Sequence, residues 1–122
     1  VWDIPVNEFA SVLKINVLGT VNVIRGFSPA MIRNNAGVII NISSWWGRFG
    51  EKDLAPYCAS KFAIEGITQS MAKELPDSMA VIALDPGGGI DTPMLHKCAP
   101  DSVSQSPTAD MWSRIAVPYM LS

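Results

Sequence analysis

The first third of the chain carries apolar residues at the spacing of an α-helix. Between Pro5 and about Arg33 they recur every three or four positions, which predicts one long amphipathic helix with this apolar face: Phe9, Val12, Leu13, Val17, Val21, Ile24, Phe27 and Met31. Pro5 suits the first turn of such a helix. Pro29 should kink or interrupt the helix near its end, because proline removes a helical hydrogen bond.

A second amphipathic helix is predicted from about Tyr57 to Leu75, where Pro76 stops it. Its apolar face includes Phe62, Ala63, Ile67 and Met71. A short third helix is predicted at about 109–117, in a stretch otherwise rich in Pro, Ser and Asp.

Two runs of β-branched and apolar residues predict buried strands, one at 37–43 and one at 79–84. A loop rich in Trp and Gly follows the first run at 45–50, and a glycine-rich loop follows the second at 85–92. Because these strands alternate with helices, the pattern predicts an α/β fold with a parallel sheet.

Composition excludes several classes of function. The 122 residues carry a net charge of −2, with 48% hydrophobic and 16% charged residues, as in an ordinary globular interior. There is no basic stripe for nucleic acid, and no apolar run approaches the ~18 residues of a membrane span. Cys58 and Cys98 lack metal-ligand spacing and His96 has no partner in the sequence, so no metal site is predicted. Reduced cysteines and the absence of a signal peptide predict a cytoplasmic protein.

Tyr57 and Lys61 are the strongest candidates for chemistry. They lie four residues apart on a predicted helix, so their Cβ atoms are about 5–6 Å apart on one face. A lysine ammonium at that distance favours the phenolate and lowers the tyrosine pKa from about 10. A phenol with a lowered pKa can act as a general acid near neutral pH.

Three further features accompany this pair: Ser44 at the end of the first strand, Asn16 in the long helix, and Pro86-Gly87 after the second strand. In this order and spacing they resemble the short-chain dehydrogenase/reductase family, whose active site is an Asn–Ser–Tyr–Lys tetrad followed by a Pro-Gly loop. The resemblance implies part of a doubly wound, Rossmann-type parallel sheet with flanking helices.

The resemblance also implies a role for each residue. Tyr57 would donate a proton to the carbonyl oxygen of the substrate as hydride arrives at its carbon. Lys61 would lower the tyrosine pKa and bind the ribose hydroxyls of the nicotinamide cofactor. Ser44 would donate a hydrogen bond to the same carbonyl oxygen, and Asn16 would hold a water of the proton relay. Trp46 and Phe49, just past Ser44, would suit a flat aromatic substrate, although Trp45 and Trp46 could equally pack over the sheet.

The Pro-Gly loop departs from the family pattern. The family usually reads Pro-Gly-x-[Val/Ile]-x-Thr, and here one extra glycine stands among Gly87, Gly88 and Gly89. By resemblance Pro86, Gly87, Ile90 and Thr92 would contact the cofactor. The extra glycine could bulge and keep Thr92 in place, or it could spoil closure over the cofactor.

Within the family, the segments around Trp46, Tyr57, Gly87 and Met94 resemble the branch of NADPH-dependent pterin aldehyde reductases. This resemblance implies reduction of an aldehyde or ketone, with a pterin aldehyde as one candidate, and NADP(H) rather than NAD(H). It also implies a homodimer or homotetramer of the full-length protein, formed through the helices at about 6–33 and 57–74.

Length and the missing dinucleotide motif predict that residues 1–122 form the C-terminal catalytic portion of one domain. Family members are about twice as long, and no glycine-rich βαβ turn stands near the start. Two alternatives remain open: a truncated, non-catalytic paralogue that associates through its helices, and a nucleotide-sugar epimerase or dehydratase with the same Tyr-x-x-x-Lys pair.

Overall fold

The computed structural model describes residues 1–122 and divides into two compact units, Val1–Leu84 and Asp85–Ser122. The first unit contains α1 (Val6–Leu13), a π-helical segment (Lys14–Leu18), α2 (Gly19–Arg33), β1 (Gly37–Ile42), a 3₁₀ turn (Trp45–Gly47), α3 (Ala55–Met71) and β2 (Met79–Leu84). The second contains α4 (Pro93–Cys98), a 3₁₀ segment (Pro100–Gln105) and α5 (Ala109–Leu121).

The two strands pair in parallel, with Gly37 opposite Met79 and Ile42 opposite Leu84. Helix α3 connects them, which gives one βαβ unit and confirms the predicted α/β class. β1 has β2 on one side only. The strand is therefore less buried than predicted, and the side chain of Val38 is 59% exposed.

An open groove of about 570 Å³ lies beside β1. Its walls come from the π-helical segment, α2, β1 and Lys61 of α3, and they are mostly apolar. The polar side chains in the walls are those of Asn16, Thr20, Ser28, Asn41 and Lys61. Only Ile24 and Phe27 of the predicted apolar face of the long helix line the groove.

The predicted long helix is confirmed in extent, from Val6 to Arg33, although Lys14–Leu18 inside it has π-helical geometry. Of the two outcomes predicted at Pro29, the interruption is wrong, because α2 continues through it to Arg33, and the kink stays a prediction. Pro29 and Arg25, whose carbonyl loses its helical partner, both face solvent, so water can supply the missing hydrogen bond.

Helix α3 begins at Ala55, two residues before the predicted start, and its first turn contains Pro56. It ends at Met71, after which residues 72–75 form tight turns. The predicted apolar face is only partly right: Ala63, Ile67 and Met71 are half-buried, whereas Phe62 is 48% exposed. The fully buried positions are Cys58, Ser60, Ile64 and Thr68. Small side chains let α3 approach its neighbours closely, and hydrogen bonds satisfy their polar groups.

The second unit contains more helix than the sequence predicts. α4 and the 3₁₀ segment were not predicted, and α5 extends to Leu121 rather than ending near residue 117. The side chain of Thr92 caps α4 by accepting a hydrogen bond from the Leu95 amide at 3.3 Å. In neither unit is a helix long and apolar enough to cross a membrane.

Candidate active site

One strip of α3 faces the segment that leaves β1. The strip consists of Tyr57, Lys61 and Glu65, spaced four residues apart so that they lie on nearly the same side of the helix. Each has a contact with the segment Ile42–Arg48. The predicted Tyr57–Lys61 pair therefore lies against the end of β1, where Ser44 also lies.

Lys61 is held between this strand end and the tyrosine ring. Its Nζ donates a hydrogen bond to the backbone carbonyl of Ile42 at 2.9 Å and lies 5.6 Å from the centroid of the Tyr57 ring. That distance is within the range of a cation–π contact. Burial of the ammonium lowers the pKa of Lys61 from 10.5. The positive charge that the sequence predicts beside Tyr57 is thus present in the fold.

Ser44 stands at the start of the 3₁₀ turn, with an extended backbone. Its hydroxyl oxygen accepts a hydrogen bond from the Trp46 amide at 3.3 Å, which caps the turn. A hydroxyl that accepts one hydrogen bond still has its proton to donate. The Trp46 ring in turn meets the Tyr57 ring edge to face, with centroids 6.0 Å apart. Ser44, Trp46 and Tyr57 are therefore joined by consecutive contacts.

Gly47 permits this close approach of the turn to α3. A Cβ atom at this position would lie 2.8 Å from the Ser43 hydroxyl and 3.0 Å from the backbone oxygen of Lys61. Real Cβ atoms essentially never come as close as the first distance, and the second is tighter than nine in ten of their contacts. A side chain here would push the turn away from the helix that carries Tyr57 and Lys61.

Asn16 reaches the same helix from the π-helical segment. Its amide donates a hydrogen bond to the Ser60 hydroxyl at 3.0 Å, and Ser60 donates to the backbone carbonyl of Tyr57 at 2.7 Å. π-Helical turns inside α-helices are frequent at functional sites. Asn16 is thus connected to Tyr57 through Ser60, and its predicted role in holding a water stays a prediction.

The aromatic residues after Ser44 form two separate pairs. Trp46 contacts Tyr57, whereas the exposed rings of Trp45 and Phe49 stack on each other with centroids 4.5 Å apart. A role of Trp46 in substrate binding is not tested by these contacts and stays a prediction. Trp46 and Phe49, which the sequence assigns to the same substrate, thus belong to different ring pairs, and the partner of Phe49 is Trp45.

The sequence reasoning also missed Glu65. Its carboxylate accepts a hydrogen bond from the Ser43 hydroxyl at 2.6 Å and lies 3.4 Å from Nε of Arg48. The signal was present in the spacing, because Glu65 continues the helical strip of Tyr57 and Lys61 by another four residues. It was not used because an acidic residue on a helix usually faces water.

In the second unit, the Pro-Gly loop bends through two left-handed residues, Gly87 (φ 86°) and Gly88 (φ 134°). The Gly87 amide donates to the Asp85 carboxylate at 3.0 Å, and the carbonyl of Pro86 accepts from the Trp112 ring nitrogen at 3.0 Å. Both φ values are ones that glycine adopts easily, and whether the extra glycine keeps Thr92 in place or spoils closure over the cofactor is not tested by them. Ile90 is partly buried, and Thr92 caps α4 as described above.

One prediction about the other titratable residues is wrong. His96 does have a partner, since its Nε2 lies 2.6 Å from the Asp91 carboxylate. Cys58 and Cys98 are both free thiols, as predicted. No group of three or more His, Cys, Asp or Glu side chains is arranged to hold a metal ion.

Comparison with known proteins decides the family. A sequence model described as "short chain dehydrogenase" matches residues 2–102. The chain belongs to the short-chain dehydrogenase family. It is 43% identical over 122 residues to NADPH-dependent pterin aldehyde reductase of Arabidopsis thaliana, a match that covers 100% of this chain and 50% of that protein.

The chain also matches a second dehydrogenase by sequence and a solved dehydrogenase by structure. The chain is 34% identical over 116 residues to 2-dehydro-3-deoxy-L-rhamnonate dehydrogenase (NAD(+)) of Sphingomonas sp., covering 94% of this chain and 44% of that protein. A short chain dehydrogenase from Escherichia coli CFT073, solved in complex with NADPH, superposes with a TM-score of 0.84 at 26% identity, over 95% of this chain and 48% of that one. The chain spans about half the length of the relatives it matches. The predicted Rossmann-type relationship is confirmed.

Proposed function

We propose that the protein containing this chain reduces an aldehyde or ketone to an alcohol by hydride transfer, with Tyr57 as the general acid. The observation that supports this most directly is the partly buried Lys61 ammonium 5.6 Å from the centroid of the Tyr57 ring, at the strand end that carries Ser44. A cation beside a phenol favours loss of the phenolic proton. A phenol so placed can give its proton to an oxygen on which negative charge develops.

Each residue of the proposed site has its own task. Tyr57 donates the proton to the carbonyl oxygen, and Ser44 donates a hydrogen bond to that same oxygen with the proton its capping role leaves available. Asn16 holds the α3 backbone at Tyr57 through Ser60 and supports the water of the proton relay. Trp46 contacts the substrate beside the Tyr57 ring.

The donor set of Lys61 fits the ribose end of a nicotinamide cofactor. An ammonium has three N–H donors, and the hydrogen bond to Ile42 uses one of them. The others suit a pair of neighbouring hydroxyls. The cofactor, when bound, supplies the hydride. Pro86, Gly87, Ile90 and Thr92 are proposed to contact its nicotinamide end.

NADP(H) is the proposed cofactor and a pterin aldehyde a candidate substrate. Support comes from the 43% identity to a reductase whose name includes both, and from the NADPH complex of the Escherichia coli relative. The Sphingomonas relative is named for NAD(+), so the two cofactors must be compared directly.

The test uses the whole protein encoded by the gene that contains residues 1–122. We refer to this protein as the native gene product. NADPH oxidation is followed by absorbance with a pterin 6-aldehyde and with simple aldehydes. Tyr57→Phe keeps the ring but removes the proton, and general acid catalysis contributes about 10²–10⁴-fold, so the rate should fall by that factor. The matched control is Tyr119→Phe, which changes the second tyrosine of the chain, 73% exposed in α5.

Retention of more than about a tenth of the rate by Tyr57→Phe would contradict the assigned role, since general acid catalysis is worth at least about 10²-fold. A wild-type protein that turns over no carbonyl compound would instead favour the non-catalytic alternative. Turnover of a nucleotide sugar in place of an aldehyde would favour the epimerase or dehydratase alternative.

A further inference from the structure

The carboxylate of Glu65 contacts both ends of the turn that carries Ser44 and Trp46. On one side it accepts the hydrogen bond from Ser43 at 2.6 Å, and on the other it lies 3.4 Å from Nε of Arg48. The four residues between these two contacts are Ser44, Trp45, Trp46 and Gly47. One side chain of α3 therefore contacts the turn at its entry and at its exit.

The contact with Ser43 is the stronger of the two. Ser43 is 1% exposed, and a hydroxyl–carboxylate hydrogen bond of 2.6 Å is in the short, charge-assisted range. The Arg48 side chain is 48% exposed, so solvent screens its ion pair and that pair contributes little. The backbone of Ser43 is also held, since its amide donates to the Leu84 carbonyl of β2 at 2.7 Å.

The position of Glu65 relative to Tyr57, the proposed general acid, is also fixed. Glu65 lies eight residues after Tyr57 on the same rigid helix, with Lys61 between them. A contact that anchors Ser43 to Glu65 therefore sets where Ser44 lies relative to Tyr57. Catalytic groups misplaced by about 1 Å can lose roughly 100-fold in rate.

We infer that Glu65 is a positioning residue for carbonyl reduction, which acts through Ser43 to hold the Ser44–Trp46 turn against Tyr57. This inference rests on the proposed function for its effect on rate. It does not place Glu65 in contact with substrate or cofactor.

The kinetic test is a double-mutant cycle on the native gene product. Glu65→Ala should lower kcat by about 10- to 100-fold without weakening NADPH binding. Glu65→Gln, whose side-chain carbonyl can still accept from Ser43, should restore most of the rate. The double mutant Ser44→Ala/Glu65→Ala should lose much less than the product of the two single losses in kcat, because Glu65 acts through the turn that carries Ser44.

The matched control is Glu74→Ala. Glu74 also accepts a serine hydrogen bond, from Ser70 at 3.0 Å, but it is exposed and lies beyond the end of α3. Its kcat should stay at the wild-type value. Should Glu65→Ala fail to fold, Ser43→Ala breaks the same hydrogen bond from the other side and should reproduce the loss. Losses that multiply in the double mutant, or a Glu65→Ala protein as active as wild type, would overturn the inference.

A measurement that needs no activity separates this inference from the proposed function. The protein is labelled with 5-fluorotryptophan, and the Trp46 signal is assigned with Trp46→Phe. Glu65→Ala should shift the Trp46 fluorine resonance, whereas Glu74→Ala and Glu65→Gln should not. An inactive wild type with this shift would reject the proposed function and keep Glu65 as the residue that positions the turn. An unchanged Trp46 resonance would reject the inference itself.

Discussion

At the scale of single residues, the site depends on Lys61, which is partly buried. Burial opposes the charged form of Lys61, and this lowers its pKa from 10.5. Its hydrogen bond to the Ile42 carbonyl gives the ammonium one fixed partner at the strand end. Because burial lowers this pKa, Lys61 loses its charge at a lower pH than an exposed lysine does.

This gives a prediction for the pH dependence of the reaction. Below the pKa of Lys61 the ammonium is charged and assists Tyr57, and above it this assistance is gone. We therefore expect kcat/KM for carbonyl reduction to fall as the pH rises, with a midpoint below 10.5 that belongs to the Tyr57–Lys61 pair. The measurement is a pH profile of the native gene product, with the exposed Lys73→Met as control and Lys61→Met as the variant. An activity that stays level up to pH 10.5 would contradict the role of Lys61.

At the scale of elements, the important geometry is the close approach of the 3₁₀ turn to α3. The approach depends on Gly47, whose Cβ would meet the backbone oxygen of Lys61 at 3.0 Å. Backbone atoms cannot rotate away as a flexible side chain can. A methyl group at this position must therefore move one of the two elements.

Gly47→Ala should destabilise the native gene product by about 1–3 kcal/mol, the usual cost of overpacking, and should lower its turnover. The control is Gly50→Ala in the same loop, where an added Cβ meets no atom within 4 Å. Urea unfolding and steady-state kinetics measure both effects. Equal stability of the two variants would show that the turn can shift freely.

The elements also show how far the sequence predicts this fold. Strand bounds were predicted well because runs such as Val38-Ile39-Ile40 have few alternatives to a strand. The candidate tetrad was found because Tyr57 and Lys61 share a helical face whatever surrounds them. The fully buried positions of α3 were not predicted, because Ser60 and Thr68 are buried through partners distant in sequence, Asn16 and Asn41. Contacts of that kind, including Ser43 with Glu65, leave no periodic signal.

At the scale of the whole molecule, the chain spans about half the length of its relatives, and the outer edge of β1 has no strand beside it. Parallel strands are normally covered by strands on both edges and helices on both faces. Several apolar side chains of α1, α2 and the π-helical segment are exposed as well: Val6, Ile15, Leu18, Val23 and Phe27. Association of the full-length protein through these helices and α3 stays a proposal.

Residues 1–122 expressed alone should neither melt cooperatively nor bind NADPH at micromolar concentration. The unpaired edge of β1 exposes backbone groups and apolar side chains, which favours aggregation over a stable monomer. The chain also lacks a glycine-rich βαβ turn near its start to hold the pyrophosphate. Calorimetric titration with NADPH and a thermal melt test both parts, with the native gene product as control. Micromolar binding together with a cooperative melt would show that these residues form a complete domain.

The π-helical segment Lys14–Leu18 constrains the number of residues between α1 and α2. Its wider turn holds about one residue more than an α-helical turn, and each residue turns the helix by about 100°. Deleting one residue from Lys14–Leu18 would therefore close this turn to an α-helical one and leave α1 and α2 in nearly the same rotational phase. Helix α1 would keep its packing on α3, whereas Asn16 would lose the wider turn that directs its side chain to Ser60. Deleting one residue from α1 or α2 instead would rotate the parts of the helix on either side of the deletion by about 100° relative to each other.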